Sequence, residues 1–257
     1  MSIRISLHNH SEGSPDSDSK IKDMLAKCEK RGIDAIIITD HNKVFKLDSL
    51  KGINSNVRVI PGVEVSTKDD CHFLGIFVKK DIPYLKLTGI EVIRRLHEQG
   101  AIVIMAHPFR KWQGWMADQY KRSEKEVSQV LKEIDGVEIY NSKCTPAENK
   151  RATIYFKDLG IPVFGGADAH TIKEIDNVVM NLDTDIENIK KDFLSAKRKI
   201  IVNKINRAID LTFYSSRKLG KSLLGSLGIK KGGKTHLKLR KSLSKLQTSV
   251  KKGAYRK

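Results

Sequence analysis

From residue 3 to about residue 200 the chain alternates short apolar runs with amphipathic or polar stretches, and this alternation is what most narrows its fold. Runs rich in Val and Ile read as strands, and longer stretches with apolar residues at helical spacing read as connecting helices. Strand candidates are IRISLH (3–8), DAIIIT (34–39), VRVIPGVEVS (57–66), FLGIFV (73–78), AIVIMA (101–106), GVEIY (136–140), IPVFGG (161–166) and NVVMNL (177–182). Helix candidates lie near 20–31, 88–99, 124–133, 146–159 and 186–197. Strands joined by helices imply an α/β fold with a mostly parallel sheet, either doubly wound or closed as a barrel. No glycine-rich phosphate loop follows any of the strands, which argues against a nucleotide-binding doubly wound sheet.

The histidines fall on this map in one place. His8 and His10 end the first strand, His41 ends the second in IIITDH, His107 ends AIVIMAHP, and His170 follows IPVFGGADAH. An isolated His-x-His is more often a strand-end pair than a ligand pair, so the weight rests on recurrence. Glu64 stands in VIPGVEVS, and Asp168 precedes His170 by two, repeating the opening spacing. His72 begins its strand, but VEVS, a TKDD turn and CHFLGIFV read as a hairpin, which lays His72 beside the end of the outgoing strand. Six of eight histidines therefore share one rim, leaving His97 and His236 elsewhere. In a parallel barrel that rim, at the carboxyl ends of the strands, is where active sites are built.

With Asp16, Glu64 and Asp168, the rim gathers nine imidazole or carboxylate donors. One ion takes about four to six, so nine suit two or three. A donor set without thiolate fits manganese, zinc or iron. Clustered divalent ions lower the pKa of a bridging water and clamp phosphoryl oxygens, which makes phosphate-ester hydrolysis the leading reaction.

HNHSEGSPDS, IIITDHN, VIPGVEVS, CHFLGIFV, VIMAHPFR and GGADAH, in this order, resemble the motifs of the PHP (polymerase and histidinol phosphatase) family over residues 1–200. The resemblance implies a distorted (β/α)7 barrel with a trinuclear metal centre and phosphoesterase activity through a metal-bridging hydroxide. It assigns His8, His10, Glu64 and Asp168 to one ion, Glu64, His72 and His107 to a second, and Asp16, His41 and His170 to a third. The first loop, SEGSPDS, is longer than the family's common form and leaves Asp18 as a rival to Asp16. Glu64, Asp168, His170 and Arg110 are the residues expected to carry the chemistry.

Neighbouring residues are weaker candidates. Asp40 is read as orienting an imidazole or capping a helix, Arg110 and Lys111 as receiving phosphate oxygens or lying in a solvated loop. Trp112 and Trp115 stack a base or pack into the core, with packing favoured. Asn141, Ser142 and Lys143 sit at a strand end.

The formal charge of +18 is unevenly spread. Residues 201–257 hold 16 Lys/Arg and one acid, Asp210, leaving 32 bases against 29 acids in the rest of the chain. The reading is thus a barrel over 1–203 and a basic tail over 204–257, with Ile205, Ala208, Ile209, Phe213, Leu219 and Leu223, then Leu239, Leu243, Leu246 and Val250, at helical spacing. Such a tail suits a nucleic-acid backbone or an anionic membrane. Three scattered cysteines, Cys28, Cys71 and Cys144, suggest neither a disulfide framework nor a thiolate zinc site, and a cytoplasmic location is expected. The leading function is a phosphomonoesterase on nucleotides or a small phosphorylated metabolite. The alternatives are a nuclease whose tail grips RNA or DNA, and a regulatory barrel whose tail docks on membrane or ribosome.

Overall fold

The computed structural model describes residues 1–203; the two basic helices expected within 204–257 lie outside the described residues. The strands are β1 (Ile3–Asn9), β2 (Ala35–Ile38), β3 (Arg58–Ser66), β4 (His72–Ile76), β5 (Ile102–Met105), β6 (Gly136–Asn141), β7 (Val163–Gly166), β8 (Val178–Leu182) and β9 (Arg198–Val202). The helices are α1 (Ile21–Lys30), α2 (Gly89–His97), α3 (Glu124–Glu133), α4 (Pro146–Phe156) and α5 (Ile189–Asp192). Three helices start at a reciprocal cap, Thr88 with Glu91, Ser123 with Glu126 and Thr145 with Glu148, each satisfying two orphan N–H groups of the first turn.

All nine strands form one sheet in the order β7-β6-β5-β4-β3-β2-β1-β8-β9. Parallel ladders join β1–β2, β2–β3, β5–β6 and β6–β7. The hairpin expected between β3 and β4 is present, closed at Thr67–Cys71, and it reverses β4, so β3–β4 and β4–β5 are both antiparallel. With β1–β8 and β8–β9 also antiparallel, the sheet is evenly mixed rather than mostly parallel.

The sheet curls nearly closed across β1. The first half of β1 pairs with β8, and its second half takes the segment after β7, through Ala167 N–H to Leu7 O at 2.8 Å, Ala169 N–H to His8 O at 3.1 Å and His10 N–H to Ala169 O at 2.8 Å. Ile5, Leu7, Ile37, Ile60, Leu74, Ile104 and Phe164 fill the interior. Alternate residues face outward, Ile36 and Ile38 onto α1, Phe73 and Val103 onto α2 and its neighbours. This is the distorted barrel that the family resemblance implies.

Three elements differ from expectation. α5 spans four residues rather than 186–197, because Asp185 folds back onto the Glu187 and Asn188 N–H groups and the chain must then turn to bring Lys197 O to Asp183 N–H. That turn feeds β9, a strand absent from the expected set. α4 ends at Phe156, before the left-handed turn at Gly160.

Trp115 packs in the wall, 4% exposed, against Phe73 at 5.6 Å between ring centroids and under the Arg122 guanidinium at 3.8 Å. Trp115→Ala is expected to lower unfolding free energy by about 3–5 kcal/mol. A urea melt of the variant beside the native chain checks this.

Candidate metal centre

The carboxylate of Glu64 stands at the middle of the rim. Along β3 the residues Ile60, Gly62 and Glu64 take the inward positions while Val63 and Val65 pack outward, so strand alternation alone aims Glu64 into the barrel mouth. Its Oε1 lies 2.8 Å from His72 Nδ1, 3.1 Å from His107 Nε2 and 3.3 Å from His8 Nε2. Its Oε2 lies 3.0 Å from His41 Nδ1 and 3.4 Å from His10 Nε2. Five imidazoles thus surround one carboxylate that is 1% exposed.

His8 and His10 reach this centre by a route their spacing does not reveal. Leu7 faces the interior, so regular alternation would turn His8 outward. Instead β1 carries an extra residue opposite β2 between Ser6 and Asn9, and His8 takes φ +65°. The bulge re-aims one ring, as bulges beside functional sites do. His107 at φ +28° and Asp168 at φ +46° are also left-handed. Non-glycine residues in this region cost about 1–3 kcal/mol each and cluster at functional sites.

The remaining donors arrive from the loops. Asp16 Oδ2 lies 3.3 Å from both His41 Nε2 and His170 Nε2, and Asp18 is exposed, which decides between the two rivals in favour of Asp16. Asp168 Oδ1 lies 3.4 Å from His170 Nδ1, 3.5 Å from His10 Nε2 and 3.7 Å from His8 Nε2. All nine expected donors are therefore together. They fall into four groups whose ligand atoms lie within 4.8 Å of one another: His10, Asp16, His41 and His170; His8, His107 and Asp168; His8, His10 and Glu64; and His41, Glu64 and His72. The set Asp16, His41 and His170 holds together as the resemblance implies, with His10 added. His107 groups with His8 and Asp168, and His41 with Glu64 and His72.

The electrostatics suit cations. Burial pushes the Glu64 carboxyl up, but the charges of His72, His41 and His8 outweigh it and hold the group well below the carboxylate range. Asp168 is likewise held low against burial by His8, Arg110 and His10. Burial, with His170 and His41 alongside, drives His10 well below the usual imidazole value, and burial lowers His107. At His8 burial is outweighed by Glu138, Asp168 and Glu64, which hold that imidazole well above its usual value, so a divalent ion would bind ionised carboxylates and the neutral rings of His10 and His107 and displace the proton of His8. His8 Nε2, His10 Nε2, Glu64 Oε2 and His107 Nδ1 are buried without a hydrogen-bond partner although they face other donors. Orphaned buried atoms that converge fit a metal rather than a hydrogen-bond network.

The supporting residues revise several expectations. Asp40 neither orients an imidazole nor caps a helix; it accepts the N–H and Oγ–H of Ser11, both at 2.6 Å, and so fastens the first loop. Gly13 passes so near that a Cβ would lie 2.4 Å from Asp40 Oδ2. Ser14 Oγ accepts the His41 N–H at 2.8 Å and lies 3.1 Å from His10 Nδ1, and Ser17 Oγ donates to His10 O and His170 O. The serines of SEGSPDS, which read only as turn composition, brace the histidines. Glu138 on β6 was also missed, a carboxylate hidden in an otherwise strand-like GVEIYN that bonds His8 Nδ1 at 2.9 Å.

Arg110 Nη1 pairs with Asp168 Oδ2 at 2.7 Å, at the edge of the cluster. Lys111 is exposed, with its ammonium 5.3 Å from the Trp112 ring centre. Trp112 is 63% exposed, unlike Trp115, so packing describes one tryptophan and not the other. Asn141 holds Glu138 and the Lys143 N–H, Ser142 Oγ donates to Ala167 O, and buried Lys143 pairs with Glu174, whose other oxygen accepts the His170 N–H at 2.9 Å.

The fold and site define a class of α/β barrels that gather histidines and carboxylates for divalent ions at one strand-end rim. The model of the PHP domain matches residues 6–133, and that of the PHP-associated region matches residues 146–199. An uncharacterised protein of Methanocaldococcus jannaschii is 33% identical over 206 residues, covering 79% of this chain and 80% of that protein. The chain belongs to the PHP family. Among solved structures, a two-domain protein of Bacteroides vulgatus containing a predicted PHP-like metal-dependent phosphoesterase superposes with TM-score 0.60 at 17% identity, covering 85% of this chain and 70% of that one. A lesion-specific endonuclease of Pyrococcus furiosus superposes with TM-score 0.58 at 19% identity, covering 78% of this chain and 58% of that one. At these identities the likeness is one of fold.

Protein expressed with manganese or zinc is expected to retain two or three ions per chain by elemental analysis. Protons compete for the same imidazoles, so retention should fall as the pH drops through about 6. Less than one ion per chain at neutral pH contradicts the reading of this cluster.

Proposed function

We propose that this chain is a metal-dependent phosphomonoesterase of the cytoplasm, acting on nucleotides or a small phosphorylated metabolite. The observation that carries the reading is one buried carboxylate, Glu64, within 3.4 Å of five imidazoles on a rim that also holds Asp16, Asp168 and His170. In this reading His8, His10, Asp16, His41, Glu64, His72, His107, Asp168 and His170 would hold two or three divalent ions of manganese, zinc or iron. Bound ions there would supply acidified water and charge stabilisation of phosphoryl oxygens.

The chain's own residues do the rest. Glu64 offsets the charge between neighbouring cations. Asp168 and His170, two residues apart after β7, join both sides of the cluster through His10 and Asp16. Arg110, 13% exposed and fixed by Asp168, sits where a planar guanidinium can take phosphate oxygens in pairs. Trp112 favours a nucleotide over a simple metabolite. It follows Arg110 by two residues, its indole is open to solvent, and its left-handed backbone is held by the Tyr120 hydroxyl. A tethered, exposed ring suits a base, whose stacking is worth about 1–3 kcal/mol.

A nuclease is the second reading, favoured by the +15 balance of residues 201–257 and by the fold shared with the Pyrococcus endonuclease. Membrane docking enters as an outcome of the test; among the described residues no helix is long and apolar enough to cross a membrane.

Glu64→Gln is expected to abolish turnover, by a factor on the order of 10² or more, while the far-UV spectrum stays native. Trp112→Ala should raise KM for a nucleoside monophosphate by about 5- to 150-fold and leave glycerol phosphate unaffected. Equal KM changes for both substrates count against base stacking.

A chain ending at residue 203 should still hydrolyse a mononucleotide but bind polyanions weakly. If the tail grips Z phosphates of a single strand, log affinity of the full chain falls with log salt at a slope of about −0.7Z, and truncation flattens it. Equal slopes would exclude a backbone grip by the tail. Capture by anionic vesicles but not RNA would assign the tail to membranes.

A further inference from the structure

Glu138 belongs to none of the ligand sets, yet it sits in the barrel wall directly behind them. It is 1% exposed, and its two oxygens meet three N–H groups. Oε1 lies 2.9 Å from His8 Nδ1, while Oε2 accepts the backbone N–H of His107 at 3.0 Å and the Asn141 amide at 3.1 Å. An ionised carboxylate only accepts. The network therefore keeps a proton on His8 Nδ1 and turns Nε2 toward Glu64 Oε1, 3.3 Å away, and Asp168 Oδ1, 3.7 Å away. Asn141 is itself fixed, taking the Lys143 N–H on its Oδ1 and giving its own N–H to Asn149.

The two histidines that Glu138 touches are the two with left-handed backbones, His8 at φ +65° and His107 at φ +28°. Strain of this kind persists only where the surroundings over-determine it. One carboxylate holds the ring of the first and the peptide of the second, and both belong with Asp168 to a single group of donors. Space for it comes from the neighbouring strand: at Gly166 on β7 a Cβ would lie 1.8 Å from Glu138 Oε1 and 3.1 Å from His8 Cβ. Gly166 has no left-handed φ that demands glycine, so the requirement is room for the Glu138 carboxylate.

We propose that Glu138 is the positioning residue of the His8, His107 and Asp168 group, fixing the tautomer of one imidazole and the peptide of the other so that both face one divalent ion, with Gly166 leaving it room. The inference rests on the metal-dependent reading above. A carboxylate behind a ligating imidazole orients the ring and strengthens it as a donor, and losing it typically weakens metal binding 10- to 100-fold.

Glu138→Gln keeps the shape but presents an amide that can donate to His8 Nδ1 and force the other tautomer. Manganese and zinc affinities, read by chelator competition with elemental analysis and a thermal melt alongside, should fall 10- to 100-fold, with one ion per chain lost and the rest retained. Gly166→Ala, with Glu138 native, should lose the same ion. Unchanged affinity and stoichiometry in folded Glu138→Gln overturns the proposal. Nitrogen-15 spectra of the zinc-loaded native chain give a measurement that needs no variant: His8 is expected to keep its proton on Nδ1, and a proton on Nε2 overturns the proposal. A native chain that takes up no ion overturns the metal-dependent reading as well.

Discussion

Everything at the barrel mouth is organised by the desolvation of one carboxylate. Glu64 is buried, and a lone ionised carboxylate in such a place is strongly unfavourable unless positive charge or hydrogen-bond donors reach it. Five imidazole nitrogens within 3.4 Å supply that, and those imidazoles are in turn buried and mutually repulsive when protonated. His10 lies 4.1 Å from His170 and 4.5 Å from His41 between ring centres, so all of them cannot carry protons together. Divalent cations among these rings could meet both demands, and the walls of the barrel keep the groups in place.

That need explains the supporting shell. The first loop is tied down by Asp40 on Ser11 and by Ser14 and Ser17 on the histidines, so a serine-rich segment is anchored at several points. On the opposite wall Glu138, Asn141 and Glu174 play the same part for His8, His107 and His170. The apolar interior below, from Ile5 to Phe164, gives the floor on which this shell rests.

Much of this was legible in the sequence for a physical reason. A histidine or carboxylate that terminates an apolar run interrupts the pattern, and six interruptions at equivalent strand ends stand out. The β3–β4 hairpin was equally plain from its TKDD turn. What escaped was anything decided by backbone angle or by a partner far along the chain. The bulge at His8 is invisible because HNH reads as simple alternation, although Leu7 and His8 then face the same way. Glu138 was hidden because a charged residue between Val137 and Ile139 looks like an ordinary solvent-facing strand position, and only the barrel's closure makes that face interior. Asp40 beside His41 invited a local pairing, while its true partner, Ser11, lies 29 residues away. β9 was not expected, since its RKIIV run is short and shows no clear alternation.

The seam where the barrel closes has a consequence for how the chain folds. β1 is made first, but its second half finds its last partner only at Ala167–Ala169, and Ser17 reaches His170 across a separation of 153 residues. Contacts so distant in sequence carry a large loop-closure entropy and form late. Every donor group in the mouth that includes Asp168 or His170 spans that seam, since its other members are His8, His10, Asp16, His41 and His107. An ion taken up there stabilises the closed chain over the open one, by mass action on the native state alone. Metal supply would then govern the lifetime of the barrel as well as its chemistry, with the ions acting as a clasp on the two ends of the sheet.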